Sequence, residues 1–461
     1  MPWAFGTMHA WSQITAAVLA CSAFVLALYP RSYSDALTSS GDFVLQTWPR
    51  LLRFPLFWLG LALLALLVVQ GCNPAWVFQH DGRAWWMKRI SHIDWLPSGV
   101  STPFERYNVW RSFLVFSAVW LIVCALWVGI TRRRTLQLLL AILLGNAVLL
   151  ALVGFVHRLS GEQKVLWIRK FDASSFSSFV YQNHGGAFFG LMAAAALGLA
   201  TWHFYEARKR MARSSPTAVW LFVTGFLVFA VLFSFSRGAA ITLGAFIVGA
   251  AIAFLIVRAN NPVPSTTPRL VTALLLAVFV GAAGFVVRHT DFSTIQYRFR
   301  ELANMRGMDT SVSSRVMMRE AAADMLKENW LLGTGAGSFR YLYVRYSAKR
   351  PELYQQGKLH IEHAHIDWLQ FPIELGLTGV LLIASAFGWC VWRFIRYQGW
   401  RHGLATMLLL GCFQTLLHAV IDFPFQNPAV LIMWWVLLIV ALRWLELDTP
   451  ETAPARAGAV K

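Results

Sequence analysis

The sequence predicts an all-α polytopic membrane protein with about eleven membrane-spanning helices and one large extracytoplasmic loop. Of its 461 residues, 57% are hydrophobic and only 13% are charged, a composition outside the range of soluble globular domains. The apolar residues also fall into long runs. A run of about 20 residues crosses a bilayer as a helix, because backbone groups in hydrocarbon can form their hydrogen bonds only within the segment.

Eleven runs have the required length. They lie near 11–29, 51–70, 109–130, 135–157, 184–203, 217–235, 238–257, 269–288, 366–395, 403–421 and 428–446. The first run has neither a basic segment before it nor a small-residue cleavage site, so we interpret it as a retained helix and not as a signal peptide.

The basic residues and the cysteines agree with this class. The net charge of +18 comes from short clusters between apolar runs and not from one soluble domain, so a membrane protein is favoured over a nucleic-acid-binding one. The five cysteines are scattered, mostly inside the spans, without paired spacing. Neither a disulfide framework nor a thiolate metal site is therefore expected.

Loop charge predicts the orientation. Short loops rich in Lys and Arg stay cytoplasmic, and such loops contain Arg132–Arg134, Arg208–Arg213 and Arg393–Arg401. Alternation then places the N-terminus and four segments on the outer face, and the tail inside. The four segments are 158–183, 236–237, 289–365 and 422–427. A membrane hairpin missed within 71–108 would make the number of spans even. The predicted location is a membrane of the inner-membrane type, with the outer face toward the periplasm or the cell exterior.

The chain accordingly divides into five parts. They are N-terminal transmembrane helices (1–158), central transmembrane helices (159–288), a large periplasmic loop with short helices (289–365), C-terminal transmembrane helices (366–447) and a cytoplasmic tail (448–461). The loop carries eleven Lys or Arg against eight Asp or Glu. This basic surface either faces solvent or anionic headgroups, or it is a site for an anionic substrate.

Within the loop, residues 313–329 predict a helix with Ser311 or Ser313 as its N-cap. Arg315 and Arg319 then lie one turn apart on the same face, where two guanidinium groups could clamp a diphosphate. A glycine-rich segment, 333–339, follows the helix and lacks the lysine of a phosphate-binding P-loop. It is either a helix-ending turn or a place where the backbone approaches a ligand.

Ionisable residues at membrane depth are costly and indicate function. Topology places all such positions of this chain at the outer face, although they span about 240 residues of sequence. They are Asn183-His184, Ser236-Arg237-Gly238, Arg315, His363 with His365, and His418 with Asp422. This coincidence predicts one extracytoplasmic site.

Each position also has a structural explanation. His184 could simply end a helix, Arg237 could extend to outer headgroups, and Asp422 could accept hydrogen bonds from the backbone or from His418. His363 and His365 could share a metal, but no Glu or Cys stands at ligand spacing. The sequence therefore favours a general base over a zinc ligand, and predicts neither metal nor cofactor.

Four motifs together carry a family resemblance over roughly residues 180–430. They are Ser236-Arg237-Gly238; Ser314-Arg315 followed by Asn329-Trp330-Leu331-Leu332-Gly333-Thr334-Gly335 and Phe339; His365-x3-Leu369-Gln370-x3-Glu374-Leu375-Gly376-Leu377-x-Gly379; and His418-x3-Asp422-Phe423-Pro424-Phe425-Gln426. Their order and spacing resemble the O-antigen ligase and Wzy-type O-antigen polymerase superfamily.

The resemblance implies a GT-C-like membrane fold, usually with twelve spans and both termini cytoplasmic. Members transfer a glycan from an undecaprenyl-diphosphate carrier to an acceptor hydroxyl in the periplasm, without a metal and with inversion. Arg237 and Arg315 match the family's diphosphate-binding arginines, and His365 matches its essential histidine. The residue after that histidine is commonly Asn, but here Ile366 precedes Asp367. Either Asp367 or His363 would then take the orienting role.

Two questions stay open. The acceptor is the lipid A core for a ligase or another lipid-linked oligosaccharide for a polymerase, and His184, Arg319, His363 and Asp422 are the expected substrate-binding residues. The alternative function is an anion transporter of the bicarbonate type. A transporter should hold its ionisable residues near the midplane, between discontinuous helices, whereas here they gather at one face. Expected partners are thus glycan donor, glycan acceptor and membrane lipids, with no nucleic acid.

Overall fold

The computed structural model describes residues 2–29, 32–33, 43–44, 47–161, 164–171, 174–260, 310–350 and 361–447. Over these residues, eight helices are long and apolar enough to cross a membrane, and two shorter apolar helices accompany them. Regular structure outside the helices consists of short strands. The predicted all-α polytopic membrane fold is confirmed.

The helices before residue 261 make up most of the described bundle. They are α1 (Ala10–Leu28), α2 (Thr47–Leu52), α3 (Pro55–Cys72), α4 (Val109–Gly129), α5 (Arg133–Leu159), α6 (Gln182–Lys209), α7 (Thr217–Phe233) and α8 (Arg237–Asn260). The boundary of α4 can be explained from the sequence, because the Asn108 side chain accepts a hydrogen bond from the Arg111 N–H and so caps the helix.

The second group lies after residue 309. It consists of α9 (Thr310–Asn329), α10 (Phe339–Leu342), α11 (Val344–Ser347), α12 (Asp367–Arg396), α13 (Gly403–Ile421) and α14 (Pro428–Glu446), with 3-10 turns at Gly399–Arg401 and Pro424–Gln426. The predicted loop helix is present as α9. It begins before Ser311 and Ser313, so the predicted cap was wrong.

Ten of the eleven predicted spans coincide with helices, namely α1, α3 to α8 and α12 to α14. The remaining predicted span, 269–288, lies outside the described residues. Residues 71–108 hold no extra membrane hairpin. They form a sheet in the order β4-β3-β5, with β3–β4 antiparallel and β3–β5 parallel.

The strands are short. They are β1 (Ser32–Tyr33), β2 (Phe43–Val44), β3 (Pro74–His80), β4 (Trp85–Arg89), β5 (Gly99–Ser101), β6 (Lys164–Val165) and β7 (Arg169–Lys170). The β3–β4 hairpin shares an apolar cluster with the loop helices, in which Phe78 lies with Met318, Met325 and Phe339. The sheet and the loop helices therefore form one layer over an end of the bundle.

Helices α6 and α14 form the buried centre of the bundle. Small side chains allow α6 to approach its neighbours closely: Ala194, for example, lies so near Gly411 of α13 that a Cβ at that glycine would be 2.4 Å away. Helices such as α1 and α7 expose large apolar side chains, including Leu26 and Phe222. A surface of that kind is suited to lipid and not to water.

The bundle has two chemically different ends. The site end holds the first residues of α6, α8 and α12, and the far end holds the last residues of α4, α12 and α14. Met8 lies at the site end, where its carbonyl accepts a hydrogen bond from Arg111 Nη2 (2.8 Å). Glu446 lies at the far end. An odd number of crossings between these two residues requires this arrangement. The span predicted at 269–288 lies outside the described residues, so the total of eleven stays a prediction.

Candidate functional site

Phe423 is the aromatic centre of the site end. Its ring centroid lies 4.7 Å from that of His363, 4.8 Å from that of His365 and 5.0 Å from that of His184. His363 stacks on the ring, and the other two meet it edge-on. Tyr181 stacks at 5.3 Å. The structure thus brings together three histidines that the sequence separates by up to 181 positions, that is 365 − 184.

Asp422 connects the end of α13 to the start of α6. It is buried, its Oδ1 accepts the Phe423 N–H at 2.9 Å, and its Oδ2 accepts a hydrogen bond from the Asn183 amide. His418 Nε2 lies 4.0 Å from Oδ2. The carboxylate therefore accepts hydrogen bonds from the backbone, as one interpretation of the sequence expected, and from Asn183. It also lies beside the histidines.

His184 is buried near the start of α6 but does not cap that helix, whose N-cap residue Tyr181 makes no side-chain capping bond. Its Nδ1 lies 3.5 Å from the amide nitrogen of Asn427, which caps α14. Its Nε2 is buried and makes no hydrogen bond within the described residues. A buried ring nitrogen without a partner is uncommon.

His363 is held by two neighbours. Its Nε2 lies 3.3 Å from Arg340 Nη2, and its Nδ1 lies 3.4 Å from Gln370 Nε2. Arginine can only donate, so the Nε2 lone pair of His363 accepts. Burial, and then the charge of Arg340, hold the pKa of His363 well below its ordinary value. His363 is therefore a neutral ring whose lone pair is already used.

His365 has a different environment. It is half-buried at the entrance to α12 and adopts φ = +53°, the left-handed region that non-glycine residues rarely occupy. Strain of this kind collects at functional sites, where surrounding contacts hold it in place. The His365 ring meets Phe423 edge-on, so its orientation is set by the turn that follows α13.

Asp367 ties α12 to that same turn. Its Oδ2 accepts the Phe425 N–H at 2.9 Å and its Oδ1 accepts the Gln426 amide at 3.2 Å. Its own N–H donates to the Asp422 carbonyl at 3.3 Å. The carboxylate thus fixes the backbone on both sides of the histidine cluster.

The structure describes the side chains of two of the three arginines expected to bind diphosphate. Arg237 begins α8 with its side chain exposed, and a Cβ on the next residue, Gly238, would lie 2.8 Å from His418 Nε2. Arg237 is therefore at the site end. Arg319 is half-buried on α9. Arg315 lies on α9 as predicted, but its side chain lies outside the described residues, so its distance from Arg237 stays a prediction.

The glycine-rich segment is a structural turn. Each backbone N–H from Gly333 to Phe339 has a partner inside the chain. Two of these donors, on Gly337 and Phe339, bond to the buried carboxylate of Glu374 at 2.9 and 3.3 Å. The backbone therefore has no free donors for a ligand, and the helix-ending interpretation fits the structure.

Sequence reasoning did not single out Arg340 or Asn427. Arg340 was one basic residue among eleven in the loop, and its position in the aromatic run 339–343 was the available signal. Asn427 precedes Pro428, a pair typical of an N-cap followed by the first helical residue. Both residues act here by holding histidine rings.

An apolar groove of about 380 Å³ opens beside the site. Helices α3, α4, α12, α13 and α14 form its walls, and Asp367, Trp368 and Phe425 line it where it meets the histidine cluster. Its lining is otherwise made of apolar side chains such as Leu63, Phe387 and Trp435. Such a groove is suited to hydrocarbon.

Comparison with known proteins agrees with the motifs. Residues 220–384 match the model of a family described as O-Antigen ligase. No curated protein matches the chain. The matched segment includes α8, α9 and the first half of α12, and therefore Arg237, Arg315, His363 and His365. The family implies a glycosyltransferase-type activity on lipid-linked glycans. Over residues 220–384, the chain is similar to the O-antigen ligase family.

Proposed function

We propose that the protein transfers a glycan from an undecaprenyl-diphosphate carrier to an acceptor hydroxyl at the site end, with inversion and without a metal. The observation that carries this proposal is the convergence of His184, His363 and His365 on Phe423, beside a groove suited to a lipid chain. The site end corresponds to the periplasmic face in the orientation that loop charge predicts.

His365 is the proposed general base. In the reaction, the acceptor oxygen attacks the anomeric carbon while its proton passes to His365, and the bond from that carbon to the diphosphate breaks. His363 is not suited to this task, because its Nε2 lone pair accepts from Arg340. Histidine is the usual proton acceptor near pH 7, because its ordinary pKa lies near neutrality. His363 instead serves as a positioning residue for the segment that carries His365.

Arg237 and Arg315 are the proposed diphosphate clamp. The leaving diphosphate gains negative charge as the glycosidic bond breaks, and guanidinium groups stay charged throughout and bind phosphate with two parallel hydrogen bonds. An exposed arginine at the start of α8 is free to reach such a ligand, and Arg319 lies one turn beyond Arg315 on α9 to support it.

The groove supports a lipid-linked donor. Its apolar walls begin next to Asp367 and run down between α3, α4 and α12. A polyprenyl chain lying there would bring its diphosphate to the histidine cluster, so the lipid anchor would also orient the reacting group. Orientation of this kind is a major source of rate acceleration.

Transport is the weaker candidate, although α12 does contain a break and a buried carboxylate. Gly376 interrupts the helix with φ +65° and ψ −172°, close to Glu374. The Glu374 oxygens, however, accept hydrogen bonds from Gly337, Phe339 and Gln370. A carboxylate engaged by its own chain is not suited to bind and release a transported ion.

The test uses the purified full-length protein with an undecaprenyl-diphosphate-linked oligosaccharide. Lipid A core and a second lipid-linked oligosaccharide are offered separately as acceptors, and products are identified by mass spectrometry. Transfer to the lipid A core identifies a ligase, and elongation of the oligosaccharide identifies a polymerase. An inverted anomeric configuration and full activity in a chelator are expected. Retention of configuration, or anion flux into liposomes without transfer, would contradict the proposal.

A double-mutant cycle tests the clamp. Arg237→Ala and Arg315→Ala should each weaken donor use, and the double variant should lose less than the sum of the two in free energy, because both groups bind one diphosphate. Arg208→Ala is the control, because Arg208 lies in the last turn of α6, at the far end of the bundle. Independent effects of the two arginines would overturn the shared clamp.

A further inference from the structure

Three arginines surround one glutamate at the far end of the bundle. Arg393 Nη2 lies 3.6 Å from Glu446 Oε2, and Arg50 Nη2 lies 3.7 Å from the same oxygen. Arg443 Nη1 donates a hydrogen bond to it. We call these four residues the arginine cluster. They come from α2, α12 and α14, and the site described above uses none of them.

Arg443 is the structural member of the cluster. It is buried, and its Nε and Nη2 donate to the Ile130 carbonyl at 2.9 and 2.8 Å, at the end of α4. With Glu446 on its third nitrogen, every nitrogen of this guanidinium is used. Arg443 therefore ties α14 to α4.

Arg393 is held in place but not saturated. Its guanidinium carbon lies 4.5 Å from the ring centroid of Tyr397, 5.4 Å from that of Trp127 and 5.5 Å from that of Trp389. These rings fix the plane of the group. Its Nε and Nη2 make no hydrogen bond within the described part of the chain. Both nitrogens are buried, and Nη2 also faces Glu446 Oε2 at 3.6 Å. The guanidinium lies beside Arg50, at a rim where both side chains are partly exposed.

The cluster carries more positive charge than its own carboxylate can offset. Among the described residues, three guanidinium groups against one carboxylate leave a surplus of two charges. Burial, and then the charge of Arg443, lower the pKa of Arg50 to about 10, so repulsion among the arginines persists despite Glu446. Surplus charge at a membrane boundary is costly unless an anion joins it.

We infer that the arginine cluster binds a phosphate group at the far end of the bundle. Arginine forks fit phosphate oxygens, and basic pockets between membrane helices typically hold the phosphates of anionic lipid headgroups. The rim position of Arg50 and Arg393 allows a phosphate to enter from the headgroup layer. The phosphate belongs either to such a lipid or to a free anion, and the two sources can be separated by experiment.

The first experiment measures thermal unfolding of the full-length protein in detergent with added cardiolipin, phosphatidylglycerol, phosphatidylcholine or inorganic phosphate. A ligand that binds only the folded protein raises the unfolding midpoint. Stabilisation by the two anionic lipids and not by phosphatidylcholine supports a lipid source. Equal stabilisation by inorganic phosphate supports a free anion. Stabilisation by phosphatidylcholine alone, or by no probe, overturns the inference.

Variants locate the effect. Arg393→Gln should reduce retention of the stabilising anion in native mass spectrometry by about tenfold, as expected when one charge-assisted hydrogen bond is lost. The exposed Arg53→Gln, close to Arg50 in sequence, is the matched control and should retain it. Glu446→Gln should strengthen anion binding, because it removes the competing carboxylate. Equal effects of Arg393→Gln and Arg53→Gln, or weaker binding in a folded Glu446→Gln protein, would contradict the site.

Discussion

His363 and His365 are two residues apart, yet their surroundings give them different chemistry. His363 is buried, stacked on Phe423 and bonded to Arg340, which keeps it neutral and occupies its lone pair. His365 is half-buried and lies in the left-handed region, where neighbouring contacts must hold it. At the scale of single residues, the environment thus separates the proposed base from the residue that positions it.

Replacement of each histidine by alanine should distinguish these roles. His365→Ala should lower the transfer rate by about 10²–10⁴-fold, the usual contribution of a general base, without unfolding the protein. His363→Ala should lower the transfer rate less, because it only loosens the segment that carries His365. The assay uses purified protein and a lipid-linked donor, with and without a chelator. Full activity of His365→Ala together with loss in His363→Ala would reverse the assignment, and loss of wild-type activity in the chelator would indicate a metal.

Acid should destabilise the protein through His363. Because its folded pKa lies below the ordinary value of 6.5, the unfolded chain takes up a proton first as the pH falls. The stability that this residue contributes is therefore complete above about pH 6.5 and is lost below it, by up to about 1.4 kcal/mol per pH unit. The thermal unfolding midpoint of His363→Gln should fall less between pH 7 and 5 than that of the wild type. A slope in His363→Gln equal to that of the wild type would contradict this prediction.

At the scale of elements, the break in α12 and the glycine-rich turn support each other. Gly376 and Gly333 approach so closely that a Cβ on either would lie 2.6 Å from the backbone nitrogen of the other. The Leu377 N–H donates to the Leu331 carbonyl across this contact. The contact fixes the first half of α12, and thereby the start of the helix that follows His365.

Gly376→Ala should disrupt this contact. The backbone of Gly376, with φ +65° and ψ −172°, lies in a region that is essentially restricted to glycine and costs another residue about 1–3 kcal/mol. The added methyl group would also meet the Leu331 carbonyl at 2.6 Å. We expect a lower unfolding midpoint and reduced transfer. Gly145→Ala in α5, where nothing lies within 4 Å, is the matched control. Equal behaviour of the two variants would show that the contact is dispensable.

At the scale of the whole molecule, the bundle separates two kinds of chemistry. The site end gathers histidines, Asp422 and the groove entrance, whereas the far end gathers the arginine cluster around Glu446. Each set draws on helices distant in sequence, so neither could form without the complete packing. Met8 and Glu446 lie at opposite ends, as an odd number of crossings requires.

Cysteine labelling in intact cells should establish which end faces outward. In a background without the five native cysteines, Ala348→Cys in the loop layer should react with a membrane-impermeant reagent. Met211→Cys, which lies in a predicted cytoplasmic loop and is 92% exposed, should react only after the membrane is permeabilised. The opposite pattern would invert the predicted topology and place the candidate site in the cytoplasm.

The sequence determined the class of the fold and the positions of ten spans, because apolar length acts locally; the span at 269–288 stays a prediction. It also singled out His184, Arg237, His365 and Asp422, since ionisable residues next to apolar runs are conspicuous without any structure. Residue chemistry without the family resemblance could not separate His363 from His365, nor could it separate a ligand-binding loop from a structural turn. Those choices depend on which partners each group meets.

The tertiary structure decided them through contacts between distant segments. Glu374 occupies the backbone donors of the glycine-rich turn, Arg340 occupies the lone pair of His363, and Phe423 collects the histidine rings. The arginine cluster likewise exists only where α2, α12 and α14 meet. Periodicity and charge along a chain indicate whether each segment lies in lipid, in water or in the protein interior. The pairing of hydrogen-bond donors with acceptors is fixed only when the helices pack, because a buried polar group without a partner is costly.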